Sequence, residues 1–148
     1  MVNTLSMVCL LKRNGSKERR MKAYTERVFG NHEGKDVLAY RFETDSGYQL
    51  EIMTYGATIL SYVTPDKAGN FANVILGFDD FASYVGNSPK HGASVGPVAG
   101  RIAVATFELN GQTYNLEVNN ASNCNHSGST GWDSSRSEEH TSELQSLR

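Results

Sequence analysis

Apolar and polar residues alternate along residues 37–44 (VLAYRFET) and again along 48–55 (YQLEIMTY), with the turn pair Ser46-Gly47 between them. Successive side chains of a strand point to opposite faces, so this period of two is the signature of half-buried antiparallel strands joined in a hairpin. In the second run Tyr48, Leu50 and Ile52 share one face while Gln49 and Glu51 share the other. A further β-rich run, 57–64 (ATILSYVT), stops at Pro65 and the turn residues Asp66, Gly69 and Asn70, where a missing N–H ends a ladder. Residues 73–77 (NVILG) read as a short buried strand, and only 79–84 (DDFASY) looks helical, barely longer than a turn.

The sharpest local signal is 105–116 (ATFELNGQTYNL), in which Asn110-Gly111 supplies the two positive φ angles of a type I′ hairpin turn. That loop sets Phe107 opposite Tyr114 and Ala105 opposite Leu116. Short strands at close spacing, with no alternation of strand and helix, predict an all-β fold: an antiparallel β-sandwich.

With a formal net charge of −2, the chain lacks the basic excess that nucleic acid demands, and no apolar run is long enough to span a bilayer. Neither nucleic acid nor membrane is expected as a partner. Cys9 and Cys124 stand far apart with no second thiol beside either, so they read as free thiols in a reducing compartment. In residues 5–11 (LSMVCLL) the basic residues follow the apolar stretch instead of preceding it, unlike a secretory signal, so a cytoplasmic location is expected.

Both ends differ from the middle. Residues 1–20 have no usable periodicity and end in KERR before Met21, a plausible start, so they are expected to be an extension whose removal leaves the fold intact. Residues 136–146 (RSEEHTSELQS) resemble the translation of a common sequencing-library adapter. Natural sequence is therefore expected over 21–135, with 136–148 a tail that makes no specific contact.

Three stretches stand out as candidates for chemistry: LGFDD at 76–80, GASVGPVAGRI at 92–102 and NHSGSTGWDSS at 125–135. The glycines of the second lack the spacing of a nucleotide-binding loop. Taken alone, Arg101 reads as a surface residue and His126 as a loop histidine; read as ligand groups, the guanidinium fork would hydrogen-bond sugar hydroxyls beside small neighbours. His32 and His91 keep the bland reading.

In this order, with the hairpin between them, the three stretches resemble the N-terminal part of the galactose mutarotase (aldose 1-epimerase) family, from about Tyr24 to Ser135. The resemblance implies a large antiparallel sandwich whose concave face binds a free hexose such as galactose or glucose, and interconversion of its α and β anomers. A base removes the anomeric proton while an acid protonates the ring oxygen, and the opened sugar recloses, without cofactor or metal. It also implies that the principal acid and base, a histidine and a glutamate, lie beyond this stretch, so the chain itself is expected to be inactive. Arg101 matches the family's sugar-contacting arginine, and His126 its assisting loop histidine, followed here by Ser127-Gly128 where many relatives have two glycines. A non-catalytic sugar-binding relative is the alternative, and a relative acting on hexose 6-phosphates has only Lys90 in its favour.

Overall fold

A computed structural model describes residues 21–86 and 89–137 of the chain. Nine strands account for most of the regular structure: β1 (Met21–His32), β2 (Lys35–Thr44), β3 (Gln49–Met53), β4 (Ile59–Pro65), β5 (Phe71–Asn73), β6 (Arg101–Ile102), β7 (Thr106–Leu109), β8 (Gln112–Asn115) and β9 (Cys124–Asn125). The first five form one antiparallel meander in sequence order, while β6 pairs with β9 and β7 with β8. The fold is all-β and antiparallel, as the alternation requires.

The register of the meander explains where the core lies. Ala39 faces Met53, Arg41 faces Glu51 and Glu43 faces Gln49, so these residues share one side of the sheet. On that side Arg27 donates from Nε to Glu51 at 2.8 Å, and the charged half stays toward solvent. At the other end of the same face Val37, Ala39 and Met53 are buried with Tyr55, Phe81 and Tyr84, with Phe29, Leu60 and Phe78 packed against them. Rings meet there edge to face, Tyr55 with Phe81 at 5.4 Å and Phe78 with Tyr84 at 5.2 Å between centroids, a geometry worth roughly 0.5–1.5 kcal/mol per pair beyond the area buried. Leu50 and Ile52 lie on the opposite side, level with Phe42 and Tyr40, and are only half-buried.

The Asn110-Gly111 turn forms as its chemistry demands, with φ of 53° and 78°, and Phe107 stacks on Tyr114 at 5.1 Å. Leu116 N–H donates to Ala105 O at 2.8 Å, which extends the pairing by one step. The helical reading of 79–84 reduces to one 3₁₀ turn, Ala82–Tyr84, with Asp80 accepting from Ser83 N–H at 2.9 Å.

Two expectations are corrected. Residues 73–77 are not a buried strand: β5 ends at Asn73, and Val74 and Leu76 are 59% and 75% exposed. The cause is the Asn73 side chain, whose Oδ1 accepts from both Tyr62 N–H and Ile75 N–H and so replaces the ladder that would have continued. The expectation that nothing from residue 136 onward touches the sheet fails at its first two residues. Arg136 forms a bridge with Tyr55 and donates from Nη1 to Asp36 O at 3.0 Å, and Ser137 N–H donates to Thr54 O at 2.9 Å. Unpaired backbone groups of the Thr54–Gly56 turn draw in whatever chain follows Ser135. Residues 1–20 and 138–148 lie outside the described residues, as does Cys9; Cys124 is buried and unpaired with another thiol.

Candidate functional site

The segments that carry Arg101 and His126 meet in a short ladder, β6 with β9. Arg101 pairs with Asn125 and Ile102 with Cys124, so two segments more than twenty residues apart lie side by side. Two residues per strand cannot hold such a ladder by themselves, and side-chain amides extend it. Asn119 accepts from Asn125 N–H at 2.7 Å and donates to Asn125 O at 2.9 Å, which imitates one more strand residue. Asn123 accepts from Val104 N–H at 3.2 Å.

Arg101 is exposed and donates from Nε to Asn120 Oδ1 at 2.8 Å. Among the described residues the two terminal nitrogens of the guanidinium have no hydrogen-bond partner, which leaves a fork suited to neighbouring hydroxyls. His126 sits at φ 53°, a left-handed conformation, and its backbone N–H donates to Gly100 O at 2.9 Å. Gly100 N–H donates in return to His126 Nδ1 at 3.1 Å. Since Nδ1 accepts, the neutral ring carries its proton on Nε2 and offers a donor there. A ring held this way can hydrogen-bond an oxygen, but protonation at Nδ1 would break its tether.

Ser127 explains the departure from a second glycine. It occupies φ 65°, and its hydroxyl accepts from Val98 N–H at 2.8 Å and donates to Val98 O at 3.1 Å. Glu117 holds the next turn by accepting from Ser129 N–H at 2.6 Å and from Ser129 Oγ at 2.7 Å. The Ser129 backbone bond, then its hydroxyl, keeps the Glu117 carboxyl below its ordinary value of 4.5. Asp66 and Asp80 are likewise lowered from 3.8, chiefly by hydrogen bonds from Asn70 and Ser83 respectively. A carboxyl lowered on folding contributes stability that is full above its unfolded pKa and lost as pH falls through the folded one. The melting midpoint should therefore drop on acidification below about pH 4.5, and Glu117→Gln should shrink that dependence. A midpoint that stays level or rises as pH falls from about 5 to about 2 would contradict these tethers.

Sequence reasoning singled out Arg101 and His126 as candidates but not the residues that hold them. Asn119, Asn120, Asn123 and Glu117 were not singled out in the sequence, and Ser127 stood out only for replacing a glycine that many relatives have. Lys90, the one support for a phosphate-binding reading, forms an ion pair with Asp133, so its charge is already matched. His91 packs against Phe78 and His32 against Tyr55 and Phe81, as aromatic neighbours in the core. Among the described residues no group of three or more His, Cys, Asp or Glu side chains is placed to hold a metal ion. Among the described residues no helix is long and apolar enough to cross a membrane.

The all-β antiparallel fold, with β6 and β9 pairing the segments that carry Arg101 and His126, is shared with known carbohydrate epimerases. The aldose 1-epimerase family model matches residues 39–146, and the chain belongs to that family. It is 37% identical over 114 residues to galactose mutarotase from Bos taurus, covering 76% of this chain and 33% of the relative. It is 35% identical over 104 residues to aldose 1-epimerase from Streptococcus thermophilus, covering 70% and 30%. Among solved structures, galactose 1-epimerase from Lactobacillus acidophilus NCFM superposes with a TM-score of 0.64 at 24% identity, covering 76% of this chain and 32% of that one. An aldose epimerase homologue from C. elegans gives 0.58 at 29% identity, covering 62% and 28%. The chain spans about a third of the length of the curated relatives it matches.

Proposed function

We propose that this chain is the sugar-holding opening part of an aldose 1-epimerase that interconverts the α and β anomers of free hexoses, galactose or glucose. The observation that supports the reading is the pairing of Arg101 with Asn125, the residue before His126, together with donors on the Arg101 guanidinium and on His126 Nε2 that have no hydrogen-bond partner among the described residues. Arg101 holds sugar hydroxyls. His126 donates from Nε2 to a sugar oxygen and helps the ring open, while the principal proton transfers belong to a histidine and a glutamate in the part of the family's chain that follows. The chemistry uses no cofactor or metal, and the work is done in the cytoplasm, where a buried unpaired Cys124 is stable. Within the chain, 21–135 is read as the natural family stretch and 136–148, which the family match overlaps as far as residue 146, as a tail that resembles translated adapter.

The test is a chimera in which residues 21–135 are joined to the downstream two-thirds of a relative. Arg101→Ala there should lower kcat/KM for galactose roughly 10–100-fold, as losing one or two charge-assisted hydrogen bonds of about 1.5–3 kcal/mol would, with little change in melting temperature. Unchanged kinetics beside a large fall in melting temperature would assign Arg101 to structure instead. A chimera that binds galactose without turning it over, although it carries the relative's acid and base, would favour the non-catalytic alternative.

A further inference from the structure

The hairpin of β7 and β8 is a two-stranded sheet of its own, and its tip is the exposed pair Asn110-Gly111. A two-stranded ladder is marginally stable in water, so this tip opens and recloses more readily than the five-stranded meander. Asn110 differs there from the other exposed asparagines among the described residues. Asn31, Asn70, Asn73, Asn115 and Asn119 each have the side-chain amide in a hydrogen bond, whereas the Asn110 amide has no hydrogen-bond partner among the described residues. The N–H of Gly111 is equally free of acceptors among the described residues.

These two groups are a carbon electrophile and a nitrogen nucleophile in adjacent residues. Attack of the Gly111 nitrogen on Asn110 Cγ closes a five-membered ring, and glycine hinders that closure least. It has no Cβ beside the attacking nitrogen, and nothing lies within 4 Å of the place where one would stand, so the ring forms in open space. The closed turn holds the pair at φ of 53° and 78°. When the tip opens, rotation about the Asn110 Cα–C bond brings the nitrogen to the side-chain carbon.

We propose that Asn110 is a self-modification site, at which the folded chain converts this side chain to a carboxylate and, in part, reroutes its own backbone. Base in the solvent removes the Gly111 amide proton, the nitrogen bonds to Asn110 Cγ, and the Cγ–Nδ2 bond breaks as ammonia leaves with a proton from water. Water then opens the cyclic imide. Opening at Cγ gives aspartate; opening at the backbone carbonyl carbon gives isoaspartate, in which the main chain runs through the former side chain and is one methylene longer. Overall the side-chain amide is hydrolysed, with ammonia released and no change of oxidation state. Both products add a negative charge near Glu108. The longer loop of the isoaspartate form does not keep the two-residue turn that sets Phe107 opposite Tyr114, so the ladder slips.

Ageing the 148-residue chain in mildly alkaline buffer and mapping its peptides by mass spectrometry tests the assignment. Asn110 should convert to a mixture of aspartate and isoaspartate well ahead of Asn31, Asn70, Asn73, Asn115 and Asn119, and faster as pH rises. The conversion should be lost in Asn110→Gln, whose longer side chain would have to close a six-membered ring. The isoaspartate fraction should also lose the mutual ring-current shifts of Phe107 and Tyr114 in NMR spectra. Asn14-Gly15 is the same pair outside the described residues and serves as an internal check on the conditions. Conversion at Asn14 while Asn110 keeps its amide would show that the closed turn protects the tip, and overturns the proposal. An Asn110 that converts in urea but not in the folded chain, or no faster than the hydrogen-bonded asparagines, overturns it too.

Discussion

Gly92→Ala should lower the stability of the folded chain by about 2–5 kcal/mol, seen as a large drop in the denaturant midpoint. Gly92 has φ of +64°, and a Cβ there would lie 2.0 Å from the backbone oxygen of Ile59. The Gly92 carbonyl in turn accepts from Ile59 N–H at 2.8 Å, so the loop is held against the start of β4 and cannot back away without losing a bond. A left-handed conformation costs a residue with a Cβ about 1–2 kcal/mol, and overpacking adds about 1–3. Gly34→Ala is the control: its φ is +79°, but nothing lies within 4 Å of the added carbon. That variant should show the conformational cost alone. Equal losses for the two would mean that the Gly92 loop does not dock on β4 as described.

Gly92 also opens the segment that leads to Arg101. From Gly92 the chain passes Ser94, whose hydroxyl donates to Ala57 O at 2.9 Å, and Gly96, whose carbonyl accepts from Trp132 N–H at 3.0 Å. The Trp132 ring lies over Gly96 where any side chain would stand, within 2.2 Å of a built Cβ. The glycine-rich stretch is therefore a seam between the sheet and the loop that carries His126. Its small residues were evident in the sequence; what they made room for was not.

The same contrast runs through the fold. β2, β3 and the hairpin at Asn110-Gly111 were legible because each carries its own period or turn chemistry, and residues 57–64 because Pro65 marks an end. β1 was not, although it is the longest strand. Thr25, Glu26 and Arg27 interrupt any alternation, and an edge strand pairs on one side only, so its side chains are less constrained. Residues 73–77 misled because a short apolar run says nothing about whether a neighbour exists to cover it. β6 and β9 have two residues each, a single period that cannot show a repeat, and they meet across a long separation in sequence. Arg101 and His126 were recognisable only through their likeness to a family, and the bond from Gly100 N–H that fixes the His126 tautomer has no signature in residue order.

That tautomer bears on the last expected result: the 148-residue chain should not speed the mutarotation of α-galactose above its spontaneous rate. Anomer exchange needs a proton removed at one oxygen and delivered at another, and each well-placed acid or base contributes about 10²–10⁴-fold. His126 has Nδ1 occupied by Gly100 N–H, so it offers a hydrogen bond from Nε2 more readily than a full proton transfer. Glu117, which holds the turn that follows His126, accepts two bonds from Ser129 and is held below the ordinary carboxylate range, which makes it a poor base. Arg101 does not lose its proton at all. Polarimetry on freshly dissolved α-galactose checks the expectation directly, with the chimera as positive control. An accelerated approach to the equilibrium rotation by the purified chain, abolished by His126→Ala, would show that the proton-transfer groups lie within these residues. The tethered imidazole would then have to exchange its bond with Gly100 for one with the sugar during turnover.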